Sequence, residues 1–460
     1  MPTFKIISPA NNRSYAERAY ATDAEIEQVL EKSAIAQKAW RNTSIETRKS
    51  ICLKAVSALL ARQSSIAEEL SWQMGRPLRY TAGEIKGFAE RARHMAKIAA
   101  VKLADIEIEK SAESTRLIRR TPHGIVFSIV PWNYPYLTAV NVIIPALMAG
   151  NSVIMKPSSQ TPLTAERLFE AFETAELPAG LFQHLFLDHA STATLIQHEV
   201  VNYVSFTGST QGGREIEVAA TGRFIDVGLE LGGKDPAYVR SDADLEQAVE
   251  GLVDGAFFNS GQSCCGIERI YVHKDLYQKF CDSFIELTRE YRLGDPLQPE
   301  TTLGPMVNTA AANRVREQIN DAIKQGATAA IDENDFPASK VDSAYLAPQV
   351  LLNVDHSMSV MRDESFGPVI GIMSVESDEQ AVELMNDSPY GLTASIWTTD
   401  RQSALDLGNQ LETGTCFMNR CDYLDPALAW SGVKHSGKGN TLSELAYERL
   451  TKPKSFHLRH

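Results

Sequence analysis

The sequence has few cysteines, no excess of positive charge and no long apolar run, and each scarcity excludes a class of protein. Six Cys in 460 residues cannot form a disulfide framework. Two of them, Cys264 and Cys265, are adjacent, and only Cys416 and Cys421 otherwise lie close together. The ten His show no zinc spacing, so no metal site is expected. Lys and Arg number 45 against 58 Asp and Glu, a net charge of −13. Nothing basic is present to neutralise a run of phosphates, so nucleic acid is not an expected partner. The longest mostly apolar run, 137–149, is interrupted by Thr138, Asn141 and Pro145. It falls short of the roughly 18 residues that a membrane-spanning helix requires. The segment Met1-Pro2-Thr3-Phe4-Lys5 lacks the apolar core of a secretory leader. The expected home is therefore the reducing cytoplasm.

What is present is an ordinary globular composition, with 43% hydrophobic and 22% charged residues. At about 150 residues per domain this length predicts two or three domains, each able to bury a core. Apolar residues at three- and four-residue spacing predict helices over 24–40, 46–74 and 83–101. The stretch 104–120 instead alternates in period two around a polar turn and reads as a hairpin set apart. From Gly124 onward short β-rich runs (125–130, 152–155, 181–187, 203–206) alternate with helical windows (163–174, 213–220). A second set follows, with strands at 224–227, 270–272 and 394–397 and helices at 245–257, 276–291, 310–325 and 402–411. Strand–helix–strand units at this spacing predict an α/β fold with parallel, doubly wound sheets. Two such domains are expected, with a break near Gly228, and 454–460 reads as one more strand.

Six short segments carry residues suited to chemistry. In Phe206-Thr207-Gly208-Ser209-Thr210-Gln211-Gly212-Gly213 a strand runs through a small polar turn into a helix, where free N–H groups and the helix dipole can hold a pyrophosphate. The segment matches neither the G-x-G-x-x-G fingerprint nor the Walker pattern, and a plain tight turn reads equally from it. Lys156 in Met155-Lys156-Pro157-Ser158 ends a strand, where doubly wound sheets bind ligands. Asn133 sits in Pro131-Trp132-Asn133-Tyr134-Pro135, a loop stiffened by two prolines, as an amide able to donate to developing negative charge. Cys264 has small polar flanks in Asn259-Ser260-Gly261-Gln262-Ser263-Cys264-Cys265, as an accessible thiol requires. Glu230 lies in the apolar, glycine-rich run Leu229-Glu230-Leu231-Gly232-Gly233, where burial would raise its pKa toward that of a useful base. Glu364-Ser365-Phe366-Gly367-Pro368 sets a carboxylate and an aromatic ring on one loop. Each has an alternative reading as ordinary structure when taken alone.

Taken together and in this order, the six segments resemble the aldehyde dehydrogenase superfamily. Tyr390-Gly391-Leu392 and Ser431-Gly432-Val433-Lys434-His435-Ser436-Gly437 extend the likeness along essentially the whole chain. The resemblance implies two Rossmann-like parallel-sheet domains, one for cofactor and one for catalysis, plus a small β oligomerisation element. Mapped here, 1–103 and 122–227 would bind NAD(P), 228–432 would be catalytic, and 104–121 with 433–460 would build a homodimer or homotetramer. By the same resemblance Cys264 would be the nucleophile, Asn133 and the Cys264 N–H the oxyanion donors, and Glu230 the base that activates water. Lys156 would bind the adenosine ribose, Gly208 and Ser209 the pyrophosphate, and Glu364 the nicotinamide ribose beside Phe366. Trp132, Ser158, Ser159, Gly213 and Leu231 would complete the NAD(P) site. The aldehyde would enter along 133–145, past Tyr134, Asn141, Tyr423, Leu424 and Trp430.

Departures from the family pattern shape further expectations. Ser159 stands where many NAD-preferring members carry Glu, so NADP should be accepted alongside or ahead of NAD. Asn440-Thr441 replaces a common Arg-Glu pair, so that support to the site is missing or replaced. Some succinate-semialdehyde dehydrogenases carry Arg at the place of Asn141, which leaves a semialdehyde dependent on an Arg from elsewhere. A neutral aliphatic or aromatic aldehyde suits the aromatic residues equally. A CoA-acylating enzyme is the alternative, disfavoured by Glu230, and a cofactor-independent thiol hydrolase would want a partner His.

Overall fold

The computed structural model describes residues 2–460 and places two parallel sheets at its centre. The first has six strands in the order Gly437–Lys438, Asp226–Glu230, Val201–Thr207, Ile125–Ile129, Ser152–Lys156 and Phe182–His184. All pairs are parallel except that of Gly437–Lys438 with Asp226–Glu230. The second has seven strands in the order Thr328–Ala329, Gln349–Leu352, Val369–Val375, Ile267–His273, Asp235–Val239, Thr393–Trp397 and Thr415–Met418. Only its short first strand runs antiparallel. Helices cover these sheets, so central strands such as Ile125–Ile129 and Asp235–Val239 are buried along their whole length. That explains why Ile125–Ile129 reads as a nearly continuous apolar run, whereas Asp235–Val239 opens with Asp-Pro and was not among the strands expected. The α/β class and the doubly wound arrangement expected from the sequence are what the structure shows.

Several helices follow their local signals closely. Leu163–Thr174 and Leu245–Phe257 have the expected limits. Asp23–Trp40 opens with a capping box in which Thr22 and Glu25 bond reciprocally. The single helix expected over 46–74 is two, Ile45–Ala61 and Gln63–Met74, divided at Arg62, whose backbone leaves the helical region (φ −105°, ψ 11°). Gly75 ends the second in the left-handed conformation, φ 85°. The run 137–149, broken on paper by Pro145, is a helix, Pro135–Ala149. It is apolar nearly all round and buried, so it shows no amphipathic period, and its packing outweighs the hydrogen bond lost at Pro145. A hairpin, Thr3–Ser8 with Arg13–Ala19, precedes the helical region and had no counterpart in the sequence reading.

Two expected boundaries move. The strand placed at 224–227 is Asp226–Glu230, so Gly228 lies inside a strand of the first sheet and the chain crosses to the second only between Glu230 and Asp235. The tail 433–460 divides as well. Thr451–Arg459 pairs with Ser114–Pro122, which pairs with Ile106–Lys110, giving the small three-stranded sheet. Gly437–Lys438, however, pairs with the first sheet and sets Gly437 directly opposite Glu230. The segment 433–450 therefore closes over the end of the strand that carries that carboxylate. Among the described residues, no helix is long and apolar enough to cross a membrane.

Candidate active site

In the first sheet the chain builds outward in one direction from Ile125–Ile129 and then returns to add Val201–Thr207 on the other side. Such a switch point leaves a crevice beyond the carboxyl ends of the two strands. The loop with Trp132 and Asn133 leaves from one of these ends, and Gly208 and Ser209 leave from the other. Ser209 caps the helix Thr210–Ala220 by accepting from the Gly212 N–H at 3.1 Å. Among the described residues, the N–H groups of Ser209, Thr210 and Gln211 have no protein acceptor. A Cβ at Gly208 or Gly212 would strike the Phe206 ring at 2.6 or 2.7 Å, so the two glycines let that ring pack beneath the helix start. Gly213 lies against Leu231, 2.6 Å from where its own Cβ would be.

The remaining dinucleotide candidates border the same crevice. Lys156 ends the strand Ser152–Lys156; burial lowers its pKa, and Asp188 opposes that in part. Ser158 accepts from the Gln160 N–H at 3.2 Å, and Ser159 is exposed. Trp132 and Phe366 meet edge to face, 5.7 Å between ring centres. Glu364 accepts from the Gly233 N–H at 3.1 Å, and burial pushes its carboxyl up to about 8. A carboxyl group, a lysine and a set of free N–H groups at a helix start are groups that a ribose–pyrophosphate chain can use.

Cys264 follows a turn under strain. Asn259, Ser260 and Gly261 all have positive φ, at 53°, 56° and 68°. Two non-glycine residues in this region cost on the order of 1–3 kcal/mol each, so the surroundings must hold the turn. Ser260 donates to the Gly304 carbonyl at 2.8 Å, and the Gln262 side chain donates to Asn259 O at 3.1 Å and accepts from Val307 N–H at 2.7 Å. The Asn259 and Asn133 amides both donate to the Gln262 carbonyl at 3.2 Å. Asn133 thus grips the loop at Gln262, two residues before Cys264.

The adjacent cysteines have different environments. Cys264 is partly exposed and lines a cavity of about 320 Å³. Cys265 is buried, and its S–H donates to Asp422 at 3.0 Å, which also accepts from Ser263 Oγ at 2.8 Å. Hydrogen bonding with Cys264 and then burial push the Cys265 thiol well up, so it stays protonated. Burial likewise raises the Asp422 carboxyl.

Glu230 lines the cavity with Cys264. Parallel register sets Thr207 opposite Glu230, and Thr207 Oγ1 donates to Oε2 at 2.9 Å. Thr441 donates to Oε1 from the closing tail. Burial raises the Glu230 pKa, while the Thr441 and Thr207 hydroxyls and then Arg91 oppose it. Thr441 therefore supplies a hydroxyl donor to Glu230 at the place where the sequence suggested lost support. Tyr134, Asn141, Tyr423, Leu424 and Trp430 all line this cavity, as do Arg91, Thr138 and Phe258.

Sequence reasoning missed the residues that tie the parts together. Buried Arg76 donates to Glu84 at 2.6 Å, to Asn259 at 3.1 Å and to the Asn133 carbonyl, with its guanidinium 4.3 Å from the Tyr134 ring centre. Lys234 donates to Glu268 at 2.5 Å and Ser365 at 3.0 Å, while Glu268 accepts from the N–H groups of Ser365 and Phe366 at 2.8 and 2.9 Å. No local signal marks them: Glu84 stands two residues from Lys86, and Lys234 is followed directly by Asp235.

The profile of the aldehyde dehydrogenase family matches residues 2–456. A 3-sulfolactaldehyde dehydrogenase of Priestia aryabhattai is 33% identical over 458 residues, covering 97% of this chain and 93% of its own. A solved 3,6-anhydro-L-galactose dehydrogenase in complex with NADP superposes with a TM-score of 0.94 at 31% identity, covering 99% of this chain and 96% of its own. Betaine aldehyde dehydrogenase of Staphylococcus aureus bound to NAD+ superposes with a TM-score of 0.93 at 29% identity, over 99% and 91%. The chain belongs to the aldehyde dehydrogenase family and is an NAD(P)-dependent aldehyde dehydrogenase.

Proposed function

We propose that the enzyme oxidises its aldehyde to the free carboxylic acid through a covalent bond to Cys264. The observation that carries this reading is the shared cavity, with a partly exposed thiol and a half-buried, hydroxyl-held carboxylate on its walls. Cys264 Sγ adds to the carbonyl carbon, and the oxygen that becomes negative is held by the Asn133 side-chain amide and the Cys264 N–H. The dinucleotide, when bound, accepts the hydride that leaves this carbon. Glu230 then takes a proton from water, whose oxygen attacks the thioester carbon. The carbon–sulfur bond then breaks, the acid departs and Cys264 is left as the thiolate. Trp132, Lys156, Ser158, Ser159, Gly208, Ser209, Gly213, Leu231, Glu364 and Phe366 hold the dinucleotide in this reading. The presence of Glu230 favours hydrolysis over transfer to CoA. The cavity walls suit a semialdehyde or a small aliphatic or aromatic aldehyde. The three-stranded sheet, whose edge strand exposes Ile106 and Ile108, is the proposed contact for a homodimer or homotetramer.

Magnitudes separate the devices. Full ionisation of a cysteine with an ordinary pKa gains at most about 30-fold at pH 7. Loss of one oxyanion donor costs about 10² to 10³. Cys264→Ser is expected to abolish cofactor reduction while Cys265→Ser retains most of it, and Asn133→Ala is expected to lower kcat by about 10² or more. Comparable losses in both cysteine variants, or less than a tenfold loss for Asn133→Ala, would contradict the assignment.

Burial raises the Glu230 pKa, and as a base the group must be ionised, so activity should fall as pH drops through a value above the usual carboxylate range of about 4.3. The Thr441 hydroxyl favours the ionised form. Thr441→Val should move the acid limb of kcat to higher pH by roughly half a unit or more. A limb that stays in place or moves down would refute this role.

Ser159 brings no carboxylate near the adenosine ribose, and Lys156 stands at the same strand end. We therefore expect kcat/KM for NADP to equal or exceed that for NAD. A preference for NAD of about 100-fold or more would overturn this expectation.

A further inference from the structure

We propose that Arg91 is the specificity residue of the aldehyde cavity, and that the substrate carries a carboxylate or sulfonate which Arg91 binds. The proposal rests on the dehydrogenase reading above and names the class of aldehyde.

Arg91 comes from the helix Leu78–Lys102, outside the six segments that the sequence analysis reads for chemistry. It is 8% exposed and lines the cavity that holds Cys264 and Glu230. Gly87, one turn earlier on the same face, lets the helix pack against Leu137; a Cβ there would lie 2.8 Å from Leu137 Cδ2. The guanidinium spends only Nη1 on the protein, donating to the Leu137 carbonyl at 2.8 Å and to Asn141 Oδ1 at 3.2 Å. Asn141 thus orients the arginine rather than facing substrate alone. Among the described residues, Nε and Nη2 have no protein acceptor, and neither atom is sealed away from the open space. Three N–H donors in a fixed fork remain free, the pattern that matches an oxyanion with two or more equivalent oxygens.

Three other buried cations of this chain have all their charged nitrogens or an ion partner matched by protein groups. Arg76 has Glu84, Lys234 has Glu268, and Arg269 is surrounded by carbonyls of Lys234, Leu384, Met385 and Asp387. Arg91 forms no ion pair among the described residues. The acids nearest to it are committed elsewhere. Glu84 bonds Arg76 and the Tyr136 N–H, and Glu230 is held by two threonines. Of the other acids on the cavity wall, Glu90 is exposed, and burial favours the neutral forms of Asp254 and Asp422. A buried cation without a partner is costly, and an anion that arrives with the substrate removes that cost. Because Arg91 shares one cavity with Cys264, the anionic group must lie at the end of a short chain remote from the carbonyl.

The test compares four aldehydes under saturating NADP: succinic semialdehyde, sulfoacetaldehyde, butanal and 4-aminobutanal. The intact enzyme should show kcat/KM for at least one anionic aldehyde about 100-fold or more above butanal, and the larger of the two anionic values identifies carboxylate or sulfonate as the ligand. Arg91→Met should lower that anionic value by about 100-fold, chiefly through KM, and change butanal far less. Arg91→Lys keeps the charge without the fork and should fall between them, which guards against a Met variant that does not fold. Preference of the intact enzyme for butanal or 4-aminobutanal would overturn the proposal, as would equal losses on all four aldehydes in both variants. Turnover without charge preference defeats the role of Arg91 alone. Failure of every aldehyde to reduce cofactor defeats the dehydrogenase reading as well.

Discussion

Arg76 joins the loop that carries Asn133 to the turn that precedes Cys264. Its guanidinium is buried, and all three nitrogens are bonded: to Glu84 of the long amino-terminal helix, to the Asn133 carbonyl beyond the first sheet and to Asn259 in the turn before Cys264. Breaking a buried pair of this kind typically costs about 3–5 kcal/mol, because one charge is left without compensation. The arrangement therefore fixes the Asn133 loop relative to the segment that carries the thiol while also helping to hold a turn with three consecutive positive φ angles. The strain in that turn is offset by its surroundings, and the thiol's position follows from the fold rather than from its own backbone preference.

A second constraint separates two chemically identical side chains. Cys264 and Cys265 differ in exposure and in partner: one borders the cavity, and the other is buried with its S–H on Asp422. A nucleophile must be both accessible and able to lose its proton, and Cys265 satisfies neither requirement. Across the cavity, strand register puts Thr207 beside Glu230, and the returning tail adds Thr441. Burial and the hydroxyl donors act on the same carboxylate in opposite directions. Its titration thus becomes adjustable from outside the first sheet.

Much of this was legible in the sequence because the relevant signals are local. The β-strand ends with Lys156 and Gly208, the small-residue flank of Cys264 and the apolar run around Glu230 each lie within a few residues. The cavity-lining Tyr134, Asn141, Tyr423, Leu424 and Trp430 came through whole-chain resemblance, since residues nearly 300 apart share no local pattern. The unread parts are of two kinds. The helix Pro135–Ala149 is apolar all round, which erases its period, and Gly228 reads as a break although it sits in a strand. Arg76, Arg91, Glu84, Glu268 and Asp422 act only through partners distant in the chain, so their sequence neighbours say nothing of their purpose.

The most direct test of the central claim is to trap the enzyme between its two half-reactions. Glu230→Gln should leave sulfur addition and hydride loss intact while slowing the attack of water. Mixed with aldehyde and NADP, this variant should release about one equivalent of reduced cofactor per active site and carry the acyl group on Cys264, readable by peptide mass spectrometry. An acyl group on Cys265, or continued turnover without any covalent adduct, would contradict the account.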